Sequence, residues 1–304
     1  MKYLFAFIGF GEAAYNITKG LRGEGLDSIT AYDMMQDDPA RGKLIRERAD
    51  EVGISLVPTL EDAYRNADFV LSMNSPAVCV SVAKGILPNL VSGQVYVDLN
   101  SSSPTDMTEI DKLPRQEGVL FCDVGVLGMV PAGKHRTKMY ASGDGAEAFC
   151  NAYGQYNTVI KKLDAPAGGA SACKMFKSVF SKGLPQLLIE SYVPAAAYGV
   201  LDYIIDLTKN TFENRNIEEF ADKTLYRTLV HAERRAVEAE AAAKTVESMG
   251  YDASISHATA KKLKQLAACN YKDRIGPDEE PDLRAVVDLL LKDTKMEKEN
   301  AANV

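Results

Sequence analysis

The stretch Tyr3-Leu4-Phe5-Ala6-Phe7-Ile8-Gly9-Phe10-Gly11-Glu12-Ala13-Ala14 decides the fold. Six apolar residues run into a glycine-spaced turn, and a helix-forming segment over 13–23 follows. A strand, a G-x-G-x-x-A turn and a helix in that order form the dinucleotide-binding fingerprint. Gly9 permits the tight turn, Gly11 lets a pyrophosphate reach the backbone, and Ala14 lets helix and strand pack closely. The phosphates then rest on the helix N-terminus, whose free N–H groups and dipole favour an anion. Phe10, Glu12 and Ala13 complete this candidate cofactor loop. A second strand ends in Ala31-Tyr32-Asp33, and Asp33 follows Ala14 at about the 20-residue spacing of a carboxylate that binds ribose hydroxyls. A carboxylate there repels a 2′-phosphate. Met34-Met35-Gln36-Asp37-Asp38 brings no cation to offset it, and Arg41 is distant, so the cofactor reads as NAD, with NADP disfavoured.

Outward from this stretch, apolar runs at 28–32, 69–72, 95–99, 120–124, 138–141 and 158–163 alternate with helical segments at 41–52, 59–66, 78–90 and 104–116. That is the pattern of βαβ units on a parallel sheet. After Leu163 the texture changes. Asp164-Ala165-Pro166-Ala167-Gly168-Gly169 reads as a junction, and nearly every segment from Ala170 onward is rich in Ala, Leu, Glu and Lys. Helices are expected at 170–197, kinked at Pro185 and stopped by Pro194 or Gly199, then at 217–250 with an interruption, 254–268 and 283–292, with a frayed polar end over 294–304. The expected architecture is an α/β Rossmann domain, residues 1–165, followed by an all-α domain, residues 166–304.

Composition agrees with this division. The 304 residues, 46% of them hydrophobic, supply two cores at about 100–200 residues per domain. A net charge of -7 argues against a basic nucleic-acid footprint and against affinity for anionic membrane. The expected partners are a small-molecule substrate and a second copy of the chain. No apolar run approaches the ~20 residues of a membrane span, since Asp202 and Asp206 interrupt the best one. The run after Lys2 lacks a cleavage site and reads as a buried strand. Cys79, Cys122, Cys150, Cys173 and Cys269 are widely spaced and form no C-x-x-C pair, so they read as reduced thiols of a cytoplasmic protein. His135, His231 and His257 have no metal-ligand spacing, and no metal is expected. Cys173 reads as a small hydrophobe, not as a nucleophile.

Ligands of an open α/β sheet bind outside the carboxyl ends of its strands. There stand Asn74 and Ser75, the segment Asp98-Leu99-Asn100-Ser101-Ser102-Ser103-Pro104, and the segment Asp123-Val124-Gly125-Val126-Leu127-Gly128-Met129. With these segments the N-terminal domain and the start of the helical one resemble the β-hydroxyacid dehydrogenase superfamily, which includes 3-hydroxyisobutyrate and 6-phosphogluconate dehydrogenases, and most of all its phosphogluconate-dehydrogenase-like branch. Asn74, Ser75 and Asn100 are candidate cofactor contacts. Asp98-Leu99-Asn100-Ser101 matches the family's D-x-S-T strand end with Asn in place of Ser, and Ser101 is a candidate substrate contact. The second segment matches D-A-P-V-S-G-G, keeping the Asp, the Val and one Gly. Leu127 stands where the family has a substrate-contacting Ser, and Leu127, Gly128 and Met129 are candidate substrate contacts in a more apolar pocket. Gly169-Ala170-Ser171-Ala172-Cys173-Lys174 resembles the family's lysine-bearing stretch, which implies Lys174 as the catalytic group. Ser178 stands at the position of the family's Asn, one turn on and on the same face, with Lys177 as a competing polar residue.

The chemistry asks for such a lysine. Taking hydride from an alcohol carbon requires the O–H proton to leave, so a base must sit within hydrogen-bond reach. Burial beside a positive nicotinamide lowers the ammonium pKa towards neutrality. In the second half, His231, Arg234, Arg235 and Glu238 fall on one helical face opposite Leu229, Ala232, Ala236 and Ala243. This face reads either as solvated, with an Arg234–Glu238 pair, or as a cationic wall in which His231 and Arg234 capture a substrate carboxylate or phosphate. The resemblance implies a homodimer whose all-helical domain closes the active site. The expected activity is an NAD-dependent oxidoreductase moving hydride between the nicotinamide and a hydroxyl or carbonyl carbon of a small hydroxy acid or sugar acid. Decarboxylation follows where the substrate carries a carboxylate β to the new carbonyl. The alternatives are an imine-reductase-type activity and a non-catalytic NAD(H) sensor.

Overall fold

A computed structural model describes residues 3–213, 216–276 and 279–302. Among these residues eight strands are present: β1 (Phe5–Ile8), β2 (Ile29–Tyr32), β3 (Ser55–Leu56), β4 (Phe69–Ser72), β5 (Val95–Asp98), β6 (Leu120–Val126), β7 (Met139–Ser142) and β8 (Ile160–Lys162). They form one sheet in the order β3-β2-β1-β4-β5-β6-β7-β8. Every neighbouring pair is parallel except β6 with β7. The first six strands thus follow the 3-2-1-4-5-6 order of the doubly wound dinucleotide fold, in which ligands bind where the order reverses, between β1 and β4.

β1 shows why the sequence folds this way. All four of its residues are buried, as expected for a central strand covered by helices on both faces. Successive side chains point to opposite faces. Phe5 and Phe7 enter one core with Phe10, Ile17 and Leu21; Ala6 and Ile8 enter the other with Val70, Ile86 and Leu87. Register is fixed by the neighbours, with Phe5 opposite Ile29 on β2 and Phe69 on β4.

In the second half the structure corrects several boundaries. Helix Gly169–Tyr198 runs through both Pro185 and Pro194 and ends at Gly199, whose φ is +82°. Each proline removes one i→i−4 bond, and the turns on either side carry the helix past the loss. Helix Leu201–Phe212, not expected from the sequence, follows at once. The interruption inside 217–250 falls at His231, between Ile217–Val230 and Ala232–Ser248. Ser254–Ala268 and the short Tyr271–Arg274 come next. The last helix, Leu283–Ala302, continues through most of the run expected to fray; residues 303–304 lie outside the described ones. Among the described residues, no helix is long and apolar enough to cross a membrane.

Two compact units, 1–180 and 181–304, divide inside helix Gly169–Tyr198. The start of that helix belongs to the sheet unit. Ala170 and Ser171 are buried against it, and a Cβ on Gly125 of β6 would meet the Ala170 carbonyl oxygen at 2.5 Å.

Candidate active site

The glycine turn after β1 has the geometry its residues predict. Gly9 adopts φ +92°, and a Cβ there would collide with the Met73 carbonyl and lie 2.7 Å from Asn74 Oδ1, so only glycine fits between the β1 and β4 turns. Gly11 is the N-cap of helix Glu12–Gly23, with open space where its Cβ would stand. No side chain caps that first turn, which leaves its N–H groups for an anion. Ala14 is buried against the sheet. Glu12 is exposed and Ala13 half-buried at the same turn. The ring of Phe10 is fully buried beside Phe7, so only its backbone faces the turn.

That backbone ties the loop to Asp33. Asp33 Oδ2 accepts the Phe10 N–H at 2.7 Å and Oδ1 accepts the Met35 N–H at 2.9 Å. A carboxylate has about four acceptor positions, so two remain for a pair of ribose hydroxyls. The open first turn, the cradle at Gly9 and the half-used carboxylate together fit a dinucleotide.

The turns after β4 and β5 are bound to each other. Asn100 is buried, and both ends of its amide are engaged: Nδ2 donates to Asp98 Oδ2 at 2.8 Å and to Ser72 Oγ at 3.1 Å, while Oδ1 accepts the Asn74 N–H at 2.5 Å. Asn100 N also donates to Asp98 Oδ1 at 2.9 Å. The side chain of Asn100, a residue read from the sequence as a cofactor contact, clamps the Asn74 turn in place. Asn74 itself is half-buried and donates to Ser72 Oγ, and the exposed Ser75 caps the short turn Pro76–Val78. Beneath the clamp, burial pushes Asp98 up to about 7; Asp123, its register partner across β5 and β6, adds to the rise, and the two Asn100 bonds oppose it.

Lys174 approaches this edge of the sheet from helix Gly169–Tyr198. Its Nζ donates to Ser101 Oγ at 2.6 Å. Burial lowers its pKa from the ordinary lysine value, while Asp123 and Asp98 pull the other way. Asp123, fully buried, anchors the helix start: Oδ2 accepts from Ser142 Oγ, Gly168 N and Ser171 N, all at 3.0 Å, and Oδ1 from Ser171 Oγ at 2.6 Å. Ser142 Oγ in turn accepts the Ala170 N–H at 2.9 Å. Sequence reasoning missed this network. Its one signal was Asp123 at the strand end, whereas Ser142 and Ser171 carried none.

The remaining candidates divide. Leu127 is half-buried, Gly128 and Met129 are exposed, and the Leu127 carbonyl accepts Lys177 Nζ at 3.3 Å. Ser178 is half-buried one turn beyond Lys174. His231 and Arg234 belong to the second unit. His231 lies in the break between two helices, so it does not continue Arg234's helical face, and it lines a cavity of about 460 Å³ with Arg227 and Lys272. Arg234 pairs with Glu238 at 3.8 Å with both side chains well exposed, the solvated arrangement, while Arg235 donates to Thr228 Oγ1. Among the described residues, no group of three or more His, Cys, Asp or Glu is placed to hold a metal ion.

The order of the sheet and the geometry of the Gly9 turn define a dinucleotide-binding protein. Residues 4–162 match the NAD binding domain of 6-phosphogluconate dehydrogenase, and the chain belongs to that family. Residues 195–266 match a domain family of unknown function. A conserved hypothetical protein from Sinorhizobium meliloti is 30% identical, with 96% of this chain and 97% of that one covered and a TM-score of 0.63. A conserved protein of unknown function, described as structurally similar to 3-hydroxyacid dehydrogenases, is 26% identical over 87% of this chain and 98% of its own, with a TM-score of 0.60. An imine reductase from Aspergillus terreus, in complex with NADPH4, shares the fold at a TM-score of 0.73 and 14% identity, over 95% and 99% of the two chains.

Proposed function

We propose that the protein is an NAD-dependent oxidoreductase acting on a hydroxyl or carbonyl carbon of a small hydroxy acid or sugar acid, with Lys174 as the acid/base. The observation that carries this is the half-buried Lys174 amine, 2.6 Å from Ser101 Oγ, at the strand-end edge of the sheet that also bears the Gly9 turn. When bound, the nicotinamide accepts or supplies the hydride. Lys174 takes the alcohol proton in one direction and returns it in the other. Ser101 orients the amine and releases its hydrogen bond to the substrate oxygen, and Ser178, on the same helical face, is the second polar contact. Asp33 favours NAD over NADP, since a 2′-phosphate would meet its carboxylate. A substrate carrying a carboxylate β to the new carbonyl would lose carbon dioxide after oxidation.

A thermal-shift screen with NADH, NADPH, hydroxy acids and sugar acids identifies ligands, because stabilisation follows affinity. NADH is expected to stabilise more than NADPH, and the reverse order would overturn the assignment of Asp33. With a substrate in hand, Lys174→Met is expected to cut turnover by about 10²–10⁴ while NADH still binds. Turnover near the parent's would remove Lys174 from the chemistry.

The apolar Leu127 and the exposed Met129 favour a second reading, reduction of an imine, whose less polar substrate needs no carboxylate contact at that position. NADH binding without turnover on either panel would point to a sensor. The partner we infer is a second copy of the chain, and the five free thiols fit a cytoplasmic setting.

A further inference from the structure

We propose that Asp123 is a positioning residue for Lys174, docking the first turn of helix Gly169–Tyr198 and supplying the negative charge against which the lysine amine is held. The inference rests on the assignment of Lys174 as the acid/base, and it adds the group that sets that lysine's place and charge.

Asp123 has no exposure, and its carboxylate accepts four hydrogen bonds. Two come from backbone N–H groups at the helix N-terminus, where orphan donors and the dipole favour a carboxylate. The other two come from Ser142 and Ser171. Ser171 is three residues before Lys174, on the same side of the helix. Holding Ser171 therefore fixes the rotation of the helix and the direction in which the lysine leaves it. On the far side of the amine, Ser101 closes the geometry at 2.6 Å. Gly125, two residues beyond Asp123 on β6, has no Cβ to keep the Ala170 carbonyl away, so strand and helix start approach closely enough for these bonds.

The charged groups that face Lys174 are Asp123 from β6 and Asp98 from the end of β5. On its own helix, Lys177 turns to the Leu127 carbonyl. Of these two carboxyl groups, Asp123 acts on the amine more strongly than Asp98.

The test reads the amine directly and needs no substrate. Trace acetic anhydride is applied to the full chain across pH 6 to 11, and acetylation of Lys174 is measured by mass spectrometry with Lys177 as the internal reference. In the parent, Lys174 is expected to titrate below the ordinary lysine value. In Asp123→Asn, loss of the opposite charge is expected to lower the Lys174 midpoint further, by about one pH unit. A merely structural role predicts the opposite sign: a loosened helix wets the amine and raises the midpoint. A midpoint unchanged or raised in folded Asp123→Asn overturns the proposal.

If Asp123→Asn does not fold, Ser142→Ala tests the docking. It removes one donor to Asp123 and the acceptor of the Ala170 N–H. Amide hydrogen exchange over 168–171 is expected to rise about fivefold or more, with helix Glu12–Gly23 unchanged. Unchanged protection over 168–171 overturns the docking role. A normal Lys174 midpoint in the parent would count against the lysine as base, whereas a parental lowering that Asp123→Asn leaves in place would count against Asp123 alone.

Discussion

Asp98 concentrates the residue-scale physics of the site. It is fully buried between β5 and its neighbours, and its carboxyl is raised to about 7, chiefly by burial. In the unfolded chain a carboxyl of this kind titrates near about 3.9. The native state therefore keeps a proton that the unfolded chain has already lost, and stability falls as pH rises between those two values. The contribution is complete below about pH 4 and gone once pH passes through 7; full expression of the shift is worth about 4 kcal/mol. Asp98→Asn is neutral at every pH and lacks this slope. The difference in Tm, parent minus variant, is expected to shrink by several degrees between pH 5 and pH 8. Calorimetry that finds the same difference at both ends would mean that Asp98 ionises normally.

At the scale of elements, the approach between β6 and helix Gly169–Tyr198 decides whether Lys174 reaches its place. Gly125→Ala puts a methyl group 2.5 Å from the Ala170 carbonyl oxygen. The helix start must shift, at about 1–3 kcal/mol. The expected result is a lower urea midpoint with an unchanged slope and a raised titration midpoint of Lys174; an unaltered urea midpoint would show that the helix start yields freely. Gly9→Ala strains a φ of +92° and pushes against Met73, and calorimetry is expected to show loss of NADH binding. The Gly9 turn was legible in the sequence because its demands are local: a positive φ, an open helix end and a carboxylate at a fixed spacing. Most strands were legible because parallel strands covered on both faces read as continuous apolar runs. β3 was not, since two residues, Ser55 and Leu56, are too few to show a period. Helix Leu201–Phe212 was hidden because Asp202 and Asp206 broke what looked like one apolar run. The Asp123–Ser142–Ser171 network joins residues tens of positions apart, and no local pattern announces such a bond. Asn100 shows the same limit from the other side: its position at the strand end was readable, but not that Ser72, Asp98 and Asn74 would occupy its amide.

At the scale of the whole molecule, a net charge of -7 repels a dinucleotide and any acid substrate, so the proposed ligands would rely on local donors, and the first turn of helix Glu12–Gly23 and the Lys174 amine are the proposed ones. The proposed pairing of two chains follows from a different imbalance. Tyr203 is 73% exposed and Leu207, one turn along the same helix, 64% exposed, while Leu187, Ile189 and Val193 are exposed on helix Gly169–Tyr198. Large apolar side chains left in water at this density mark interaction surfaces more often than solvated ones. Sedimentation at micromolar concentration is expected to give twice the chain mass. A protein whose folded state is the dimer gains stability by mass action, so Tm is expected to rise with protein concentration. Tyr203→Glu combined with Leu207→Glu places two charges on the helix and is expected to weaken association at least 100-fold, with the concentration dependence of Tm disappearing alongside it. A parent that sediments as a single chain, with Tm independent of concentration, would leave these residues to another partner and remove the second copy from the account.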